Sequence, residues 1–170
     1  DGHNSSACLL INGELKCAIA EERLSREKNH FGYPKKSIEF ILDYCNISKN
    51  DIDRVAMTSK HFIPAYYYVE RNSKLSIQDY WKEQTDYWYP KLIENKNPKY
   101  LEVMSHLIDE EGFLYDKKYI KNESDSLGMW NARVNHISKE LNIDSDKIIH
   151  HDHHKCHGFY GFISENKFES

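Results

Sequence analysis

No apolar run in this 170-residue chain approaches the ~18 residues that a membrane span needs, and no charged-then-apolar leader opens it. The expectation is a soluble, cytoplasmic protein with no membrane partner. A basic excess is missing too: the net charge is -4, so no broad cationic face is available to hold nucleic acid, and none is expected as a partner. Close cysteine pairing is absent. Cys8, Cys17, Cys45 and Cys156 are scattered, which favours reduced thiols over a disulfide framework. Glycine is absent from residue 33 to residue 111, and the apolar positions from 61 onward keep no single long period.

What is present suits one domain or part of a larger one, since 39% hydrophobic residues can bury a real core. Residues 1 to 60 read as a compact α/β unit. "SSACLLINGELKCAIAEER" has two apolar stretches around Asn12-Gly13, a tight-turn dipeptide, and predicts a hairpin over roughly 5 to 11 and 14 to 21. The run "ACLLI" implies burial on both faces. Pro34 then sits at a first helical position, with Ile38, Ile41, Leu42 and Cys45 on one face, and "IDRVAMTSK" reads as a further strand. Residues 61 to 125 hold nine of the twelve tyrosines and two of the three tryptophans; irregular helices in an insertion are expected there, with the aromatics filling a core or shaping an acceptor pocket. Residues 126 to 170 return to regular α/β character. Trp130, Val134, Ile137 and Leu141 form one helical stripe, His136 reads as surface or packing, and "DKIIHHD" is a short strand.

That strand runs into "HHDHHKCHGFYGF", where five of the ten histidines fall within eight residues. A helix starting there would put the cluster at a strand-to-helix junction, where open α/β sheets gather ligands. His153 and His157 are four apart, so on a helix their ring nitrogens can converge on one metal ion. His154 points elsewhere, and Asp152 is close in sequence but badly directed. Two histidines leave a metal undercoordinated, and a catalytic site would want a carboxylate and an open position for water or substrate. Two other readings are a polar junction satisfied by backbone, and a closed structural zinc or iron site made of His150, His151, His153, His157 and Cys156.

The N-terminal "DGHNSSACLLINGELKCAIAEERLSREKNHFGYPKKSIEFIL", together with "DHHKCHGFYGF", resembles the N-terminal domain of the O-carbamoyltransferases, the nodulation-factor, cephalosporin-type and aminoglycoside enzymes. The pattern is His3 with a small polar loop, a hairpin, Glu21-Glu22-Arg23 with a basic follow-up, a proline-led helix, and His153-His154-x-x-His157. Cys156 stands where alanine is common. The resemblance covers residues 1 to about 60 and 145 to 170.

It implies a partial actin/sugar-kinase-like (ribonuclease H-like) α/β domain with a mixed sheet and an aromatic-rich helical insertion, similar to the threonylcarbamoyl-transfer subunit that acts on tRNA. The chain then reads as a piece truncated at its C-terminal end, expected to self-associate through an apolar face and to be inactive alone. The implied reaction moves carbamoyl from carbamoyl adenylate to the hydroxyl of a small-molecule acceptor. A partner domain would make the adenylate from ATP and carbamoyl phosphate. A divalent metal, iron by resemblance, would sit on His153 and His157 and on a third ligand, a carboxylate expected beyond residue 170. His3 would be the general base, because an imidazole accepts a proton at neutral pH. Asn4, Ser5 and Ser6 would cradle an anion through backbone N–H groups and hydroxyls. Arg23, Arg26 and Lys28 would clamp phosphate oxygens. An ATPase or sugar-kinase-like phosphotransferase of the same fold is the alternative enzyme, and the histidine pair argues against it.

Overall fold

A computed structural model describes residues 2–165. The hairpin comprises β1 (Ser6–Ile11) and β2 (Glu14–Ala20), with Asn12 and Gly13 both at positive φ in the turn. The ladder is antiparallel and Lys16 is left over between the Leu9–Cys17 and Leu10–Leu15 pairs, a bulge that strengthens the local twist. Burial on both faces is not met: Leu10 and Leu15 are 58% and 63% exposed. Only one face has a cover within the described residues, the helix α2 (Lys35–Tyr44).

Between hairpin and α2 lies the short helix α1 (Glu21–Ser25), and its first residue holds the two together. The Glu21 carboxylate is 2% exposed and accepts the main-chain N–H groups of Lys36 (3.0 Å) and Ser37 (2.7 Å). Those are unpaired donors of the first turn of α2, at the positive end of its dipole, so a carboxylate there satisfies both bonds and charge. Pro34 occupies the cap position of α2, one residue earlier than expected, and Ile41 and Leu42 are buried beneath it.

β3 (Val55–Met57) pairs in parallel with β4 (Ile148–His150), so the first and last zones of the chain do meet. The expected single mixed sheet does not form among the described residues: hairpin and parallel pair are separate two-stranded sheets. Three-residue strands offer few ladder bonds, and the parallel pair relies on side chains instead. Tyr33, Met57, Ile137, Leu141, Ile143 and Ile148 form its core.

Ile137 and Leu141 come from α8 (Ser126–Leu141), capped at its start by the Asp125 carboxylate on Gly128 N–H. Trp130 and Val134 pack there too, as their spacing predicts. A second buried face, Met129, Ala132 and Arg133, enters another core with Phe31, Tyr67, Phe113 and Tyr115.

Residues 61–125 fold as short helices: α3 (Pro64–Tyr68), α4 (Arg71–Lys74), α5 (Ile77–Lys82), α6 (Tyr89–Leu92) and α7 (Tyr100–Val103). A π-helical stretch, Glu83–Trp88, joins α5 to α6. Its first residue, Glu83, is 0% exposed, takes a bidentate Arg71 guanidinium (2.6 and 2.8 Å) and accepts the Tyr100 hydroxyl (2.7 Å). Turns without glycine use asparagine: six of the eight non-glycine residues at positive φ among the described residues are Asn4, Asn12, Asn29, Asn46, Asn95 and Asn142.

Candidate functional site

The parallel strands β3 and β4 end side by side, which brings together the segments that leave their C-terminal ends. His151 N–H donates to Met57 O at 2.8 Å, and just beyond it His150 lies edge-on to His61 (ring centroids 6.4 Å apart) and to Trp130 (5.5 Å). The Lys60 ammonium sits over Trp130 at 5.7 Å. Loss of solvent, and then the charge of Lys60, lower the His150 pKa. His150 is thus packed into the strand ends.

That helix, α9 (His153–Glu165), starts where expected. Asp152 caps it: one carboxylate oxygen accepts Lys155 N–H at 2.9 Å and the main-chain oxygen accepts Cys156 N–H at 3.0 Å. Its carboxylate is committed to the backbone of the first turn. His153 and His157 share one exposed face with their Nε2 atoms 3.0 Å apart. Imidazole nitrogens bound at ~2.1 Å in adjacent positions of an octahedron lie about 3.0 Å apart, against about 3.4 Å in a tetrahedron. The 3.0 Å separation in this structure is that of a hydrogen bond between the two imidazoles, and it is also short enough for both nitrogens to reach one ion. Among the described residues no three of His, Cys, Asp and Glu gather as a ligand cluster, so the closed site of His150, His151, His153, His157 and Cys156 is not formed.

His3 lies in the loop that precedes β1. Its loop is pinned by an antiparallel bridge in which Gly32 N–H donates to Gly2 O at 3.0 Å. Gly2 has φ 108, and a Cβ there would meet the Phe62 ring at 2.3 Å, so the loop admits no side chain at that position. The imidazole of His3 is edge-on to Phe62, centroids 5.8 Å apart. His3 is exposed at the surface, and partial loss of solvent is the first of the influences that lower its pKa. The lowering favours the neutral imidazole, and His153 is among the groups that act on it.

Other expected contacts are dispersed. Ser5 is buried, and its hydroxyl donates to His30 O at 3.3 Å, which makes it a strut of the loop. Asn4 and Ser6 are exposed, Asn4 at φ 50. Arg23, Arg26 and Lys28 are exposed on α1 and the turn after it. Among the described residues, none of these three is joined to the histidine cluster by a hydrogen bond or ion pair. His136 is half-buried between Tyr33 and Tyr115, a packing residue as expected. Two arginines escaped the reading of the sequence. Arg71 bears on His3, and the buried Arg133 donates to Ser59 O beneath Phe62, Tyr67 and Trp130. A lone basic residue in an aromatic stretch carries no local signal of such a place.

Among the described residues no helix is long and apolar enough to cross a membrane. No solved structure matches the chain. It is 27% identical over 143 residues to an uncharacterised protein of Methanocaldococcus jannaschii, covering 68% of this chain and 27% of that protein. It is 37% identical over 54 residues to the nodulation protein NolNO of Sinorhizobium fredii, covering 32% of this chain and 8% of that one. An uncharacterised Synechocystis protein is 30% identical over 61 residues, 36% of this chain and 10% of its own length. The chain thus spans about a quarter or less of the curated relatives it matches. The model of the carbamoyltransferase N-terminus family matches residues 2–164, and with that span the chain belongs to this family.

Proposed function

We propose that the chain is part of an O-carbamoyltransferase of actin/sugar-kinase-like fold that transfers carbamoyl from carbamoyl adenylate to an acceptor hydroxyl. Family membership supports carbamoyl transfer in general. The observation that carries the residue roles is the His153–His157 pair, whose Nε2 atoms lie 3.0 Å apart on one exposed face of α9.

His3 takes the proton of the acceptor hydroxyl, for which it must be neutral, and its lowered pKa keeps it so. The acceptor oxygen bonds to the carbamoyl carbon, the carbon–oxygen bond to phosphate breaks, and AMP leaves with that electron pair. His153 and His157 would hold a divalent cation, iron by resemblance, which when bound supplies Lewis acidity toward the carbonyl and phosphate oxygens that gain charge. Phe62 packs edge-on against the ring of His3 and orients it. A separate domain of the full-length protein would supply the adenylate from ATP and carbamoyl phosphate.

The test is metal content of the full-length protein by elemental analysis, alongside transfer from supplied carbamoyl adenylate. His153→Ala and His157→Ala lose both; His150→Ala keeps both. His3→Ala keeps the metal and adenylate formation but loses transfer. Full metal and activity in His153→Ala and His157→Ala would overturn the reading.

A further inference from the structure

The helix α5, the π-helical stretch and α6 run on as one rod, because the residues at both junctions keep right-handed helical angles. Along one side stand Ile77, Trp81, Thr85, Tyr89 and Ile93, all exposed and each four residues from the last. In an α-helix every fourth residue drifts forward around the axis, since 3.6 residues complete a turn; the wider π-turns drift it back. The inserted stretch therefore keeps the row straight. Its large members, with Leu92 beside them, are 54% to 73% exposed. They present roughly 700 Å², close to the ~800 Å² that each partner brings to a standard interface. An apolar face of that extent marks a place of interaction.

Three features select what covers it. The row reads the same from either end, isoleucine, aromatic, threonine, aromatic, isoleucine, which is the self-complementarity that a two-fold axis requires. An axis through Thr85, perpendicular to the rod, sets Ile77 against Ile93 and Trp81 against Tyr89 of an antiparallel second copy, and the small Thr85 lets the two helices approach. Next, Thr85, Trp88, Tyr89, Leu92 and Ile93 line an open groove of about 520 Å³ with Gln84. The groove is centred near Trp88 and Tyr89, the level that the same axis places opposite Trp81, so each indole finds a recess. Last, Lys82 and Asp86, paired at 3.2 Å, run along one flank of the row. The axis brings that flank against itself in reverse, which sets each lysine nearer to the second copy's Asp86 than to its Lys82.

We propose that this row is a homodimer interface, in which two chains pack antiparallel about Thr85 and each Trp81 enters the groove of the other copy. The proposal is independent of carbamoyl transfer.

Sedimentation of the full-length protein tests it, and a dimer is expected. Thr85→Arg, an exposed change that sets like charges together on the axis, weakens the dimer about tenfold or more. Trp81→Asp weakens it as well, and adding Tyr89→Arg restores it, because the new charges meet only between copies. Under mild oxidation Thr85→Cys links two chains through its own sulfur, whereas Ile77→Cys, which faces Ile93, links no more than the parent. A full-length monomer would overturn the proposal: slow amide exchange along 77–93 would then assign the row to another part of the same chain, and flotation with phosphatidylcholine vesicles to a lipid surface. A dimer untouched by Thr85→Arg and Trp81→Asp, or equal linking by the two cysteine variants, would overturn it too.

Discussion

The hairpin with α2 and the stretch 61–125 are held together by different forces. In the first, an apolar helix face lies on a sheet and one carboxylate, Glu21, ties the helix start to the strand end. In the second, short helices surround a buried ion pair, and ring edges meet ring faces, as in Tyr66 with Tyr100 and Tyr87 with Tyr100. Apolar burial is non-directional and tolerates exchange of one hydrophobe for another; a buried charge pair is directional and punishes loss of either member. The 61–125 stretch is thus the more brittle of the two.

Glu83→Ala should have the largest effect. It leaves the half-buried Arg71 without its carboxylate and the Tyr100 hydroxyl without its acceptor, and breaking a pair of this kind costs about 3–5 kcal/mol. Denaturant unfolding measures the loss. Amide exchange would rise across 64–103 while β1 and β2 stay protected; equal loss in both regions would erase the contrast. Next comes Glu21→Ala, which strips two bonds from the start of α2 and should cost about 1–2 kcal/mol in the same assay. A smaller effect attaches to Asp79, whose pKa is held down first by the Ser76 hydroxyl, then by Ser76 N–H and by His106. A depressed carboxylate stabilises the fold above its ordinary titration range and loses that contribution as pH falls through the depressed value. Asp79→Asn should therefore lower stability at pH 6 and converge on the parent chain in acid, as read from thermal midpoints across pH. Smallest is Leu10→Ser on the exposed hairpin face, expected within about 0.5 kcal/mol by thermal unfolding.

Local signals made much of the molecule legible. Asn12-Gly13 located the hairpin, Pro34 the start of α2, and the four-residue spacing of His153 and His157 their shared face. Each of these depends on neighbours in sequence. The second buried face of α8 did not show, because Arg133 interrupts it and reads as surface until Ser59 O and three rings enclose it. Nor did the Arg71–Glu83 pair, whose members are 12 residues apart across α4 and α5. Ser5 was legible as a small polar loop residue, but its sequence position could not say that the hydroxyl turns inward to His30. The division into two sheets depends on which strand edges meet, and no apolar period encodes that.

Asparagine at six left-handed turns has a consequence for the chain before it folds. Glycine would take those angles at no steric penalty, but it would also give the unfolded chain many more conformations to lose. Asparagine accepts the same angles with a narrower range elsewhere, so the ordering entropy at each turn is smaller. The glycine-free run from 33 to 111 therefore stiffens the unfolded ensemble, and replacing Asn46 or Asn95 by glycine would loosen the denatured state while leaving the folded turn as it is.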